Sequence, residues 1–320
     1  MRGGVDITVL VCTYNRCKDL CEMIDSALAQ QTGGEFTFEV LIVDNNSTDG
    51  TREAVAAYSE SHPQILRYLF EPHQGKSNAL ITGARSARGT VLSIIDSDLV
   101  LLDPDYLQRV YRIFRDRPEV AVVGGKVLPI WMARVPLWLT ERHWPAIAMC
   151  SYGEEPFSID KSRPLCLLTA SYRTSALGAA GGYRTNLAVS KGQIGGVEDA
   201  DLLTRMYDTG LKGYYDPLLR IGHKVEPARL KPRYHRQWHL GHGRFCALWR
   251  NPEFEASRLT LLGVPVHLFR TALKNAVAMI SRLPFSHSET FYYETQLWFF
   301  AGFFRQRAAD YFRAKRGVAS

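Results

Sequence analysis

The sequence predicts an α/β fold, a mostly parallel sheet flanked by helices, with a C-terminal helical extension. Three observations predict it. Over the first 130 residues, short apolar runs alternate with amphipathic stretches of helical period. These runs end in polar residues, at Thr13, Asp44 and Asp96. One of them, Ile94-Ile95-Asp96-Ser97-Asp98, closes on two carboxylates one residue apart.

Each element has a local reason. Residues 7–13 are apolar and bounded by polar positions, a core strand. Residues 18–30 form an amphipathic helix, and 38–43 a second strand that ends at Asp44. A helix over 51–61 follows, then a strand over 65–70, a helix over 77–87 and a strand over 91–95. Pro104 opens the next helix, as proline fits a first helical turn, and 120–127 is again a strand. Alternation of this kind gives parallel strands covered on both faces. Ligands of such sheets bind at the carboxyl ends of the strands, so one crevice collects Thr13, Asp44 and Asp96.

Beyond residue 128 the pattern loosens. Residues 129–165 hold Trp131, Trp138, Trp144 and five prolines without clear periodicity. A glycine-rich stretch over 178–196 precedes a helix from 199 to about 209; residues 228–250 are basic and aromatic, and 258–316 read as helical. The expected division is a catalytic-type α/β domain over 1–227 and a basic, amphipathic helical extension over 228–320. Neither an internal repeat nor a low-complexity linker is evident.

The chain of 320 residues carries a formal net charge of +7, unevenly spread. Residues 1–202 hold 20 Lys/Arg against 24 Asp/Glu, and residues 203–320 hold 19 against 8. The six cysteines make no Cys-x-x-Cys pair or zinc-finger spacing and read as reduced thiols. Met1-Arg2-Gly3-Gly4 leads straight into a strand, so no signal peptide is expected. The glycosylation sequons in Asn45-Asn46-Ser47-Thr48 then carry little meaning.

The motifs point to phosphate and metal chemistry. Residues i and i+2 of a strand share a face, so Asp96 and Asp98 can meet one ligand. Paired carboxylates of this kind suit Mg²⁺ or Mn²⁺ carrying phosphates, although an Asp in such a loop also caps helices. Asp44 can accept the imide N–H of a uracil, or serve the turn that follows it. Gly75-Lys76-Ser77 is no phosphate-binding loop, because position 70 is Phe70 where that motif needs glycine. Lys76 can still pair with a donor phosphate, or stand solvated at a helix start. No Gly-x-Gly-x-x-Gly follows the first strand, which disfavours a dinucleotide fold.

Together, Thr13-Tyr14-Asn15-Arg16, Val43-Asp44-Asn45-Asn46-Ser47-Thr48-Asp49-Gly50, Asp96-Ser97-Asp98 and Glu198-Asp199 resemble family 2 glycosyltransferases. The resemblance covers roughly residues 5–225. It implies a GT-A type fold, a nucleotide-sugar donor and transfer with inversion. By it, Thr13, Asn15 and Asp44 line the nucleotide pocket, Asp96 lies near the ribose, and Asp98 ligates Mn²⁺ or Mg²⁺. The segment Gly195-Gly196-Val197-Glu198-Asp199-Ala200-Asp201-Leu202 resembles the acceptor-side motif, with Asp199 as general base and Glu198 orienting the acceptor. The structural alternative is that Asp199 caps its helix and Glu198 pairs with Arg205. His223 stands where some GT-A enzymes place a second metal ligand. Two departures are visible. Ser97 occupies a position where the family often has a third carboxylate, and Gly181-Gly182-Tyr183-Arg184 replaces a common Gly-Gly-Phe-Asp.

The tail completes the reading. Its apolar stretches, 259–266, 276–280 and 297–304, fall short of the roughly 20 residues a spanning helix needs. They suit helices lying in a membrane interface, with Trp298, Phe299 and Phe303 inserted and cations meeting anionic lipid, or helices packed as core. His235, His239 and His242 lie among Arg233, Arg236 and Arg244, which reads as a basic surface facing phosphate or membrane. No nucleic-acid recognition motif accompanies the charge, so a nucleic-acid partner is not expected.

The expectation is an inverting, metal-dependent enzyme that moves sugar from a nucleotide donor, uridine favoured, to a glycan or polyprenyl-linked acceptor. Its expected place is surface or exopolysaccharide biosynthesis, at the cytoplasmic face of a membrane. The alternative is a catalytically silent nucleotide-sugar-binding or membrane-scaffold protein.

Overall fold

A computed structural model of the chain describes residues 4–190 and 192–316. The contacts divide it into two compact units. The first comprises the chain up to Ile130 with Ala148–Thr185 and Glu198–Lys224. The second comprises Trp131–Ile147, Asn186–Val197 and the chain from Val225 onward.

The first unit is built on one sheet. Its elements are β1 (Ile7–Thr13), α1 (Cys17–Leu28), β2 (Phe38–Asp44), α2 (Thr51–Ser61), β3 (Leu66–Phe70), α3 (Lys76–Ser86) and β4 (Val91–Ile94). There follow β5 (Leu99–Leu101), α4 (Tyr106–Asp116), β6 (Val120–Trp131), β7 (Phe157–Ile159), β8 (Ala170–Arg173), α5 (Thr174–Ala179), α6 (Glu198–Asp208) and β9 (Lys212–Val225). The strand order is β3-β2-β1-β4-β8-β6-β9-β5, with β7 paired to β9. From β3 to β4 the pairing is parallel; β8 joins β4 antiparallel and starts the second half of the sheet. The parallel half is the stretch whose strands and helices alternate in sequence.

Both faces of that half are buried, as the alternation requires. Ile7, Val9 and Val11 of β1 pack with Leu20, Met23 and Ile24 of α1 and with Leu107 and Val110 of α4. Leu10, from the opposite side of β1, packs with Leu80 of α3 and with Leu202 and Met206 of α6. One difference from the sequence reading concerns β4. It ends at Ile94, and Asp96 and Asp98 lie in the turn before β5 rather than on a strand. The two-residue rule therefore does not apply to them, and they take different partners.

The second unit is helical: α7 (Pro232–Trp249), α8 (Val266–Arg282) and α9 (His287–Lys315), with a small hairpin of β10 (Thr260–Leu261) and β11 (Val264–Pro265). Leu187, Val197, Phe245, Phe300 and Phe303 form its core. Phe303 is fully buried there, and Phe299 packs against Phe254 and Phe303. Neither serves as the membrane-inserted side chain expected from sequence, because α7 covers the face of α9 that carries them. Trp298 instead donates to Glu294.

The histidine-rich part of α7 also differs from expectation. His235 is fully buried within an aromatic cluster of Trp138, His143 and Phe291. Burial pushes the pKa values of His235 and His239 down to about 3 and about 4, and lowers that of His242 as well. These rings are neutral core groups, not a basic surface. The helical period sends Arg236 outward, where it pairs with Glu294.

Helices α7 and α9 approach so closely that glycine is required at the crossing. A Cβ on Gly243 would lie 1.9 Å from the Phe299 carbonyl oxygen, and one on Gly302 would lie 2.0 Å from that of Leu240. Gly243→Ala should therefore cost about 2–3 kcal/mol, since backbone must move to admit one methyl. Thermal unfolding reads this as a fall of several degrees; an unchanged melting temperature would show that the helices can separate freely.

Candidate active site

The site is assembled at the carboxyl ends of the parallel strands. Thr13 and Asp44 are register partners on β1 and β2. The buried Asp44 carboxylate accepts the Ser47 N–H at 2.9 Å and the Tyr68 hydroxyl at 2.9 Å. Asn15, with φ of 50°, accepts the Thr48 N–H on its side-chain oxygen at 2.7 Å, and its own N–H donates to Ser47 Oγ. The loops after β1 and β2 are thereby tied together. The Thr13 hydroxyl is buried with no hydrogen-bond partner among the described residues.

A second set of bonds places Lys76. Asn45 donates to the carbonyls of Glu71 and His73 and accepts the Gly75 N–H at 2.8 Å, fixing the chain that enters α3. Lys76, the first residue of α3, sends its Nζ to 3.1 Å from Asp96, 3.4 Å from Glu198 and 3.9 Å from Asp199. Glu198 and Asp199 open α6, where the helix dipole favours carboxylates. Glu198 thus pairs with Lys76 and not with Arg205. Arg205 instead bonds Asp201, joined there by Arg184.

Three carboxylates around one ammonium leave excess negative charge. Burial, with Glu198 and Asp96 nearby, pushes the Asp199 carboxyl up to about 7 against the pull of Lys76. Lys76 is held well above its ordinary value by Asp96, Asp199 and Glu198, which outweigh its burial. The cleft is lined further by Leu167, Leu168, Tyr172 and Tyr183. Burial raises both phenols far above their ordinary range.

Asp98 belongs to a different group. Its Oδ2 lies 2.7 Å from Arg16 Nη1 and 3.5 Å from Nε2 of the buried His223. Among the described residues no cluster of three or more His, Cys, Asp or Glu forms a closed metal cage. Asp98 offers the kind of hard carboxylate oxygen that could hold Mg²⁺ or Mn²⁺ together with substrate phosphates, and His223 stands beside it as a nitrogen donor.

Of the residues singled out from sequence, Lys76, Asp96, Glu198 and Asp199 are brought together. Asp98 joins His223, and Thr13, Asn15 and Asp44 share the strand ends. Three contributors carry no individual site role in the sequence reading. Tyr172 and Tyr183 line the cleft, and Tyr183 was within reach because it sits in the Gly181-Gly182-Tyr183-Arg184 motif. Arg205 holds the carbonyls of Ala180 and Gly182, an assignment no spacing rule supplies. The departure at Arg184 has a local explanation: the guanidinium meets Asp201 at 3.1 Å.

Known proteins agree with this architecture. The sequence pattern of glycosyl transferase family 2 matches residues 8–166. A glucosyl-dolichyl phosphate glucuronosyltransferase of Haloferax volcanii is 26% identical over 228 residues, covering 68% of this chain and 69% of that protein. A dolichyl-phosphate β-glucosyltransferase of Trichomonas vaginalis is 35% identical over 97 residues, 28% of each chain. Among solved structures, a mannosyltransferase of Pyrobaculum calidifontis in complex with GDP-Man and Mn²⁺ superposes with a TM-score of 0.53. It is 21% identical, and the match covers 98% of this chain and 76% of that one, a likeness of fold. The ordered strand-end motifs and the α/β architecture with its helical extension identify the protein as a GT-A fold enzyme of glycosyl transferase family 2.

Proposed function

We propose that the protein is an inverting, metal-dependent glycosyltransferase that moves a sugar from a nucleotide-sugar donor, a uridine nucleotide favoured, to a glycan or lipid-linked glycan. The clustering of Asp199 with Lys76, Asp96 and Glu198 carries this reading, because it provides a carboxylate whose acidity is matched to neutral pH. Asp199 takes the proton of the acceptor hydroxyl while that oxygen bonds to the anomeric carbon. The bond from that carbon to the diphosphate breaks, and the nucleoside diphosphate leaves with the electron pair. Attack from the side opposite the leaving group inverts the centre.

In the same reading Thr13, Asn15 and Asp44 line the nucleotide pocket, with Asp96 toward the ribose. The unpartnered Thr13 hydroxyl supports this. Glu198 orients the acceptor. Asp98 and His223 would hold Mn²⁺ or Mg²⁺, which supplies positive charge to the departing diphosphate. Residues 1–227 act as the catalytic domain and 228–320 as a basic extension that meets an anionic membrane at its cytoplasmic face. Surface or exopolysaccharide synthesis is the process that such an acceptor serves. A silent nucleotide-sugar-binding or scaffold protein is the competing reading, and Asp199's tuned acidity favours the enzyme.

Thermal unfolding with UDP, GDP and dTDP, each with and without Mn²⁺, tests the donor site. Ligand at about 100 times its dissociation constant adds about 2.7 kcal/mol of stability. UDP with Mn²⁺ should stabilise, and Asp98→Ala should remove the part that depends on Mn²⁺. No response to any nucleotide would sink the donor pocket.

A further inference from the structure

The second unit carries an apolar surface that its own core does not use. On α8, Leu268 is buried, and Phe269 packs against Phe304 at 4.6 Å between ring centres. Leu273, Val277 and Ile280 face away from that core and are each more than half exposed. Their i, i+4, i+7 spacing puts them on one side of the helix. Leu283 and Phe285 continue the surface past the helix end, Phe285 being 82% exposed. Leu259 and Leu261, at the β10–β11 hairpin that precedes α8, are exposed as well.

The charge of this segment is one-sided. Residues 256–288 contain Arg258, Arg270, Lys274 and Arg282 and not one Asp or Glu, although Arg282 pairs with Glu289 just beyond. A protein partner would need a shaped, apolar counter-surface with acidic neighbours. A lipid interface needs only apolar depth and negative headgroups, and exposed aliphatic and aromatic side chains among cations meet both needs. Among the described residues no helix is long and apolar enough to cross a membrane, so this face can only lie along one.

We propose that the outer face of α8 is a docking surface for an anionic lipid bilayer. Leu273, Val277, Ile280 and Phe285 enter the boundary between headgroups and acyl chains, and Arg270 and Lys274 meet lipid phosphates. The assignment rests on the membrane part of the proposed function and is independent of the reading of the active site. It replaces Phe299 and Phe303, which the core consumes, with side chains the fold leaves outside.

The test is co-sedimentation of the full chain with phosphatidylcholine vesicles, with and without phosphatidylglycerol. The parent protein should partition onto anionic vesicles and only weakly onto neutral ones. Leu273→Gln/Val277→Gln/Ile280→Gln should lower partitioning at least about tenfold, since the apolar term is removed. Arg270→Gln/Lys274→Gln should also lower it, and added salt should mimic that loss. All five positions are on the unit's surface, so unchanged thermal unfolding of the variants checks their folding. Absence of binding by the parent, or full binding by the triple variant, overturns the proposal. So does a parent dimer that the triple variant dissociates, because a second copy would then own the face. Nucleotide-dependent stabilisation, read in parallel, separates failure here from failure of the donor site.

Discussion

Asp199→Asn lowers kcat by about 10²–10⁴-fold, the usual contribution of a positioned base, while nucleotide-dependent stabilisation persists. An amide cannot accept the acceptor's proton, yet it fills the same place beside Lys76. The pH dependence of the parent supplies a second readout. With the carboxyl at about 7, kcat/KM should fall about tenfold per pH unit on the acid side and level off above neutrality. The stability consequence has the opposite sense from that of an ordinary salt-bridged aspartate. Because its folded value lies above the unfolded one, this group favours the folded state fully below about pH 4. That contribution is lost as pH rises to about 7. The Asn variant escapes the loss, so at pH 8 it should melt no lower than the parent. Intact sugar transfer by Asp199→Asn would mean that the base lies elsewhere and would revive the silent-binder reading.

Lys76→Met is expected to have the next largest effect. The ammonium offsets three carboxylates at 3.1–3.9 Å. Without it, like charges crowd unopposed and Asp199 protonates more readily. The acid limb of kcat/KM should therefore move to higher pH, so that activity lost at neutrality returns in part near pH 9. A lysine that only gripped a donor phosphate would behave differently. Its removal would raise the donor KM at every pH and leave the limb in place. The comparison of the two profiles decides between these roles.

Much of this site is legible in the sequence. Thr13, Asp44 and Asp96 stand at the ends of apolar runs, and parallel strands deliver their ends to one side. That follows from local periodicity and the geometry of strand-helix alternation. What could not be read was which charges meet. Lys76 and Glu198 are more than a hundred residues apart, and their approach depends on how α3 and α6 pack on the same sheet face through Leu80, Leu202 and Met206. The same blindness leaves the pairing of Glu198 with Arg205 open as an alternative. The two share a helix face but stand two turns apart, and Arg205 turns instead to the buried Asp201, one turn away, and to the carbonyls of Ala180 and Gly182.

The tail teaches the converse. Its sequence shows where helices form, and among the described residues none is long and apolar enough to cross a bilayer, because length and hydropathy are local quantities. It does not say which apolar face is consumed, since α9 presents aromatic residues around much of its circumference. Only the packing of α7 on α9, made possible by Gly243 and Gly302, buries Phe303 and leaves Leu273, Val277 and Ile280 of α8 outside. By itself, then, the sequence determined the elements, their order and the residues that end them, all set by local propensity and period. The tertiary structure decided the partners of each charge and the exposure of each apolar face, because both depend on contacts between segments far apart in the chain.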